Sequence, residues 1–411
     1  MPKLNATYIN KLNKIKVLEL IRKERSISRA DIAKQTRLSA PTITRIVESL
    51  INNEKLVIDL GLGSSEGGRP PNLVSFAAQA RFIIGVDIGR TNISAALADL
   101  DAKIVQESKQ PTGADEGYEK VIERVRIMIE DLIANSKVDR KNIMGVGLAV
   151  GGLMDKKRMI IEFSPDFHWR NVDPAAALAA TIGLPVMIDN VTRVAAIGEL
   201  HYGIGEKFRN FICINVGYGI GAGIIIDGKP FYGSHGVSGE FGHITADKDD
   251  QRICHCGNRG CLEAIASGYG IARTVKERIR DGARSTISGL CGGDPERISA
   301  AMVVDAANRG DELSQSVLGE AMEHLSNGVV NLITLFDPEA IILSGRVALA
   351  GNTVLDPLKA AVESRSINVN RKDIHIGLAK YGARAALMGS LALILDEILH
   401  LQLSVLETRE S

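Results

Sequence analysis

The sequence predicts an α/β protein in which an N-terminal winged helix-turn-helix precedes a two-lobed α/β body. Three observations lead there. The chain has 411 residues, too many for one ordinary core, so two or three domains are expected. Hydrophobic content is 45% but aromatic content only 4%, with 41 glycines, a profile of aliphatic strands and tight strand-to-helix turns. The first seventy residues read as short capped helices and a strand pair, whereas the text after Arg81 turns to apolar strands punctuated by glycine.

Leu12, Ile15, Leu18 and Ile21 recur near helical spacing and make a first amphipathic helix. Ser28 before Arg29-Ala30-Asp31 is an N-cap with an acidic residue three positions on, and it opens a second helix with Ile32 and Ala33 inward. Around Leu38-Ser39 the chain turns. Ser39 caps a third helix with Pro41 in its first turn, where a missing N–H costs little. Ile43, Ile46, Val47 and Leu50 form its buried stripe and leave Thr42, Thr44 and Arg45 on the opposite side. In a helix-turn-helix the front of the second motif helix meets base edges in the major groove. Ser39, Thr42, Thr44 and Arg45 are therefore the expected contacts to double-stranded operator DNA. Leu56–Leu60 and Leu73–Phe76 read as strands joined by Gly61–Pro71, a wing whose Arg69 is placed to enter a narrow minor groove.

Charge points the same way. Residues 1–70 hold 13 Lys/Arg against 7 Asp/Glu, a net of +6, and the remainder of this formally neutral chain is left with −6. A basic head on an acidic body implies a polyanionic partner. The alternative for the head is a small helical protein-interaction domain; the wing, the basic excess and the polar recognition face favour DNA.

Between Gly239 and Glu263 the chain reads Gly-Glu-Phe-Gly-His, followed by Cys254, Cys256, Cys261 and Glu263. His243 with three closely spaced cysteines is a Cys3His tetrahedral zinc set, bracketed by Glu240 and Glu263. Scattered core cysteines are the alternative, but three of the five cysteines fall within eight residues. Four ligands close the tetrahedron and leave no open position for water activation, so a structural Zn2+ is expected. The odd cysteine count, the Cys-x-Cys cluster and the lack of a signal peptide predict a reducing cytoplasm and no disulfide framework. No apolar run is long enough to span a bilayer, so no membrane insertion is expected.

Three glycine elements organise the body. Phe82–Val86 leads into Asp87-Ile88-Gly89-Arg90-Thr91-Asn92, Ile212–Val216 into Gly217-Tyr218-Gly219-Ile220-Gly221-Ala222-Gly223, and Ala340–Leu343 into Ser344-Gly345-Arg346. The first resembles the strand-turn-strand phosphate loop of the actin-like ATPase and sugar-kinase fold. With these loops and the cysteine motif together, the chain resembles the ROK family (repressor, open reading frame, kinase) over about residues 10–395, and within it the branch of transcriptional regulators that includes xylose repressors and N-acetylglucosamine repressors.

The resemblance implies two α/β lobes with a sugar cleft between them, and it implies roles. Gly152 in Ala149–Asp155 matches the glycine of a cleft turn. Asp166 in Ser164–Trp169 stands where the family usually has a sugar-binding Asn. Asn190 matches the Asn of an Asn-Asp pair. Glu240 and Glu263 match two glutamates that accept from sugar hydroxyls, with His243 shared between sugar and metal. His243, Cys254, Cys256 and Cys261 match the zinc ligands; His255 lies outside that pattern and reads as a surface residue. The implied divisions are 1–78 for the winged helix, 79–200 for the first lobe completed by C-terminal helices at 380–400, and 201–380 for the second lobe with the zinc site and an oligomerisation surface.

The departures fall in the kinase machinery. The family's catalytic base is the Asp after that Asn, and here the position is Val191, which accepts no proton. Asp189, on the other side of Asn190, is a poor substitute because neighbouring side chains of an extended segment point to opposite faces. Arg90 replaces a glycine, Asn92 a lysine and Tyr218 a phosphate-binding threonine of the kinases. The expectation is therefore no enzyme and no catalytic residue, but a homodimeric or homotetrameric sugar-responsive repressor of carbohydrate-utilisation genes. Its rivals are a repressor controlled by docking of a sugar-transport protein and an active sugar kinase. Loss of the second carboxylate favours a smaller ligand, a pentose such as xylose. Val317–Leu335 and Ala386–Leu399 offer either subunit contacts or lobe core.

Overall fold

The computed structural model describes residues 6–63, 70–156, 158–365 and 373–405. The head opens with helix α1 (Ala6–Glu24). Ile15, Leu18 and Ile21 are buried as their spacing predicts, but Leu12 is 44% exposed and Val17 takes a core place instead. Strand β1 (Ile27–Ser28) runs into α2 (Arg29–Thr36). The Ser28 hydroxyl accepts from the Asp31 N–H at 3.0 Å and donates to the Asp31 carboxylate at 2.6 Å, a cap that contributes on the order of 1 kcal/mol. Helix α3 (Ala40–Asn52) buries Ile43, Ile46, Val47 and Leu50 and is capped by Ser39. Strands β2 (Val57–Leu62) and β3 (Asn72–Phe76) pair antiparallel, and β1 joins the far edge in the order β1-β3-β2. Arg69 lies outside the described residues.

The first lobe is built on β4 (Phe82–Ile88), β5 (Asn92–Asp99) and β6 (Ile104–Pro111), an antiparallel meander. Helix α4 (Tyr118–Asn135) then leads to β7 (Ile143–Val150), which adds parallel to β4. A small sheet of β8 (Leu153–Asp155), β9 (Ile160–Ser164) and β10 (Trp169–Val172) follows. Helix α5 (Pro174–Ile182) returns the chain to β11 (Val186–Asn190), parallel to β7. Every residue of β7 is buried, as expected of a central strand covered on both faces. Helix α6 (Val191–Tyr202) starts where β11 ends.

The second lobe repeats the plan. An antiparallel β12 (Phe211–Val216), β13 (Ile220–Ile226) and β14 (Lys229–Pro230) is extended in parallel by β15 and β16, in the order β14-β13-β12-β15-β16. Between β14 and β15 lie α7 (Leu262–Ala266), α8 (Gly268–Arg280), α9 (Ile287–Leu290), α10 (Ala300–Asn308) and α11 (Glu312–Phe336). After β15 (Ala340–Ser344) come α12 (Asn352–Arg365), β16 (His375–Leu378) and α13 (Ala385–Val405). Val317, Leu318, Leu325 and Val329 of α11 face the core of this lobe, while Leu335 near its end is 75% exposed.

Helix α13 crosses back to the first lobe. Added side chains at Gly85 or Gly147 would collide with Ser390, so β4 and β7 admit the helix only because both positions lack a Cβ. On its other side, a Cβ on Gly198 of α6 would lie 2.8 Å from the backbone of Gly389. One apolar core then runs from the head into the body, joining Val17, Leu18 and Ile21 of α1 to Leu391 and Leu395 of α13 and to Ile83 and Leu100. Each such aliphatic side chain stabilises by roughly 1.5–3 kcal/mol when fully buried. The head is therefore packed onto the first lobe and not merely tethered to it.

Candidate functional site

His243, Cys254, Cys256 and Cys261 come together in the second lobe, their ligand atoms all within 4.8 Å of one another. His243 ends a short 3-10 turn that begins after Glu240. Two bridges, Thr245 with Cys261 and Ile253 with Arg259, fold the cysteine loop back on itself. The Sγ atoms of Cys256 and Cys261 are 3.7 Å apart, and Cys254 Sγ is 3.6 Å from His243 Nδ1. A tetrahedral ion with bonds of about 2.3 Å to sulfur needs an edge of about 3.8 Å, so the donor set fits a metal of that kind. The Cys254 and Cys256 thiols carry no disulfide, nor does Cys261. His255 is exposed and lies outside the set.

Nδ1 of His243 faces the thiols, which leaves Nε2 toward Glu240 at 3.7 Å. Burial raises the Glu240 carboxyl above its ordinary value, opposed by His243 and reinforced by Glu263. Glu263, in the first turn of α7, accepts the Ile220 N–H at 2.9 Å and the Cys254 thiol at 3.7 Å. The same cluster thus touches both carboxylates, a second layer of contacts that fixes where they point.

The other predicted cleft residues come from the first lobe. Gly152 has φ +140°, and a Cβ there would meet the Phe163 carbonyl, so glycine is required. Its carbonyl accepts from Asn190 Nδ2 at 2.9 Å. Asn190 also caps α6, its Oδ1 accepting from the N–H and the hydroxyl of Thr192. Its carbonyl oxygen is therefore taken, and one amide N–H remains for a ligand. Burial first and Glu263 second raise the Asp166 carboxyl above its usual range.

Val191 is the first residue of α6. Asp189 is fully buried and bound to Arg193, Nε to Oδ1 at 2.9 Å, with Lys156 Nζ at 3.7 Å from Oδ2. It is committed to an ion pair whose loss would strand a buried charge. Arg193 also donates to the Gly236 carbonyl at 3.2 Å and lies 4.7 Å over the Tyr232 ring, which ties the approach to Glu240 onto α6. Neither Arg193 nor Tyr232 was legible as a site residue from sequence, because each acts through a partner some forty residues away.

A cavity of about 1550 Å3 opens between the lobes, lined by Asp87, Arg90, Asp166, Val191, Tyr218 and Arg346 among others. Arg90 is paired with Asp115 at 2.8 Å, and Asn92 Nδ2 donates to Thr91. Burial pushes Asp87 up to about 7, against Arg346 and Lys109.

A family model described as the ROK family matches residues 83–397, and one described as winged helix-turn-helix DNA-binding matches residues 11–56. The chain belongs to the ROK family. Among curated ROK relatives it is 30% identical to the xylose repressor of Caldicellulosiruptor bescii over 395 residues, covering 96% of this chain and 98% of that one. A solved ROK family transcriptional regulator, described as a homologue of the E. coli MLC protein, superposes with a TM-score of 0.83 at 27% identity and covers 96% of this chain and 98% of its own. A ROK glucokinase from Streptomyces griseus, solved with glucose and AMPPNP, superposes with a TM-score of 0.68 at 31% identity over 76% of this chain and 98% of its own. The repressor and the regulator match the chain from head to body, whereas the kinase matches the body. Repressors and kinases of the family share this body, so the side chains inside it must separate the two activities.

In the head of this ROK protein, Ser39 and Arg45 are exposed and Thr42 and Thr44 partly so. The Ser39 and Thr42 hydroxyls share a hydrogen bond of 2.8 Å. Arg45 is not free in solvent; its Nη2 donates to Asn10 of α1 at 3.0 Å. Ser39 thus caps α3, and Thr42, Thr44 and Arg45 follow in its first turns outside the buried stripe.

Proposed function

We propose that this chain is a transcriptional repressor of carbohydrate-utilisation genes whose operator affinity is set by a sugar held between the lobes, without phosphoryl transfer. The observation that carries this reading is the junction of β11 and α6. Asn190 keeps one amide N–H beyond its bond to Gly152, Val191 cannot take a proton, and Asp189 is spent on Arg193. Acceptors for a polyol persist where a base does not. Glu240, Glu263 and Asp166 bind sugar hydroxyls through charge-assisted hydrogen bonds, joined by His243 Nε2 and the remaining Asn190 N–H. A structural Zn2+ on His243, Cys254, Cys256 and Cys261 supplies rigidity to this set and no chemistry of its own. Such a thiolate cluster belongs in a reducing cytoplasm.

The route to DNA runs through helices. Asn190 caps α6, α6 packs on α13 through Gly198 and Gly389, and α13 shares its core with α1 of the head. Arg22 of α1 also lies 5.2 Å over the Tyr202 ring at the end of α6. A sugar that favours one lobe arrangement shifts the head only by its differential affinity for the two states. A coupling of ~1–3 kcal/mol changes operator affinity by about 5–150-fold. As a homodimer or homotetramer the protein presents paired recognition helices to a pseudo-palindrome.

The test is a melting-temperature screen against monosaccharides, with D-xylose and D-glucose included, followed by operator binding with and without each hit. A binding sugar raises the melting temperature by mass action and changes operator affinity. If no sugar binds, direct induction fails and control by a docked sugar-transport protein takes its place.

A further inference from the structure

Three rings from three separate segments meet beside the inter-lobe cavity, two of them in its lining. Tyr218 lies in the β12–β13 turn, His255 in the cysteine loop and Tyr269 at the start of α8. Their centroids are 4.5 Å apart for His255 and Tyr269, 5.6 Å for Tyr218 and Tyr269, and 6.4 Å for Tyr218 and His255, the last pair near parallel at 17°. The two tyrosines are fixed by backbone pairing. Gly268 N donates to Gly217 O at 2.9 Å and Tyr269 N to Tyr218 O at 3.1 Å. In a chain with only 4% aromatic residues, this shelf is a local concentration. Both tyrosines line the cavity, and Tyr218 is 40% exposed to it and to solvent.

The shelf adjoins the proposed sugar site. A Cβ on Gly219, next to Tyr218, would run into Glu263 Oε2, and the following residue Ile220 donates to that same oxygen. Asp166 also shares the cavity wall with Tyr218. The cavity, at about 1550 Å3, exceeds the roughly 300–1,000 Å3 of clefts that enclose whole drug-sized ligands. One sugar ring beside Asp166 leaves most of it unfilled.

Charge decides what kind of ligand fills the rest. Five of the cavity's basic side chains are already matched, Arg90 with Asp115, Arg273 with Glu277, Lys276 and Arg280 with Glu296, Arg384 with Glu107, while Lys109 and Arg346 act on Asp87. Asp87 and Asp166 add acceptors along the lining. A polyphosphate would have to displace those carboxylates and pass Tyr218. A neutral, hydroxyl-rich ring meets aromatic faces and acceptors without either cost.

We propose that Tyr218 and Tyr269 form a second sugar-ring subsite, so that the effector is a disaccharide or longer glycoside whose terminal ring occupies the Glu240–Glu263 site. This rests on the sugar-binding reading above and extends it to the size of the ligand. Calorimetry on the full chain tests it with D-xylose, D-glucose, a set of α- and β-linked disaccharides of each, and AMP. The expected result is a disaccharide that binds about tenfold tighter than its monosaccharide. Tyr218→Ala and Tyr269→Ala each erase that gain and leave the monosaccharide affinity unchanged, whereas Tyr218→Phe retains it. A monosaccharide that binds while no disaccharide binds tighter overturns the subsite and leaves the sugar-responsive reading intact. Tight AMP binding lost in Tyr218→Ala overturns it in favour of a nucleotide base. No binding by any sugar overturns both.

Discussion

The two halves of the inter-lobe cleft have changed to different degrees. On the second-lobe side, Glu240, Glu263, His243 and three cysteines form one connected cluster, each carboxylate in contact with a residue of the Cys3His set. On the phosphate side, Arg90, Asn92, Tyr218 and Val191 stand where the resemblance to kinases leads one to expect other residues, yet the turn at residues 88–92 is intact, with Gly89 N bonded to Asn92 O at 3.1 Å. Changes among residues bound through a shared centre are expected to be energetically coupled, whereas changes at side chains on separate loops with no shared partner are expected to act nearly independently.

The largest expected effect breaks the braced half. Cys261→Ser, or chelation of the intact protein, should release the metal and weaken sugar binding by about 100-fold. Elemental analysis and calorimetry on the same samples check both parts; full sugar affinity in a metal-free sample would remove the brace from the mechanism. Glu240→Ala comes next, with a loss of about 2–3 kcal/mol in sugar affinity and operator binding retained. If operator binding disappears as well, Glu240 holds the fold and does not read the ligand.

In the head, Arg45→Ala should weaken operator binding by about 1–3 kcal/mol while sugar affinity stays as it was. Electrophoretic mobility shifts on specific and scrambled operators measure it, and an equal loss on both would make Arg45 a phosphate contact. Asp87→Asn probes the altered half through stability. Burial pushes the folded carboxyl from its ordinary 3.8 up to about 7, so the folded state holds the extra proton between those values. Stability therefore falls as pH rises through that window and stays lower above it. The variant should be more stable than the parent by about 2 kcal/mol at about pH 8, half of what a fully dry carboxyl would give, and no different near pH 4. Thermal melts across pH read this directly, and Arg346 and Lys109 are the cations to hold constant. The smallest effect is a null. Val191→Asp restores a carboxylate beside Asn190 but should yield no sugar phosphate from ATP, because Tyr218 and the Arg90–Asp115 pair remain. Turnover in that single variant would mean the phosphate half is still functional.

Much of the head was legible because it is local. The Ser28 and Ser39 caps and the stripe of α3 follow from side-chain-to-backbone hydrogen bonds and a 3.6-residue period, both contained within a few residues. Leu12 fails the same test because helical spacing defines a face but not where the core ends along the helix. In the body, the Cys3His set was legible from spacing alone. The environment of Asn190 was only partly so: its cap contacts with Thr192 lie two residues away, but its bond to the Gly152 carbonyl comes from folding β11 against the turn after β7. The aromatic shelf was likewise hidden: Tyr218, His255 and Tyr269 carry no common motif, and only the backbone pairing of residues 217–218 with 268–269 brings the tyrosines together.

The sequence by itself determined the class of the fold, the head, the donor set for a metal and the valine that follows Asn190, because each depends on residue identity and short-range spacing. Tertiary structure decided which carboxylates the metal cluster touches, that Asp189 is occupied by Arg193, and that α1 shares a core with α13. The Asp189–Arg193 contact spans four positions and Cys254–Glu263 nine, whereas α1 and α13 meet from opposite ends of the described chain. Their energy depends on close packing and on satisfying buried polar groups, which no local pattern encodes.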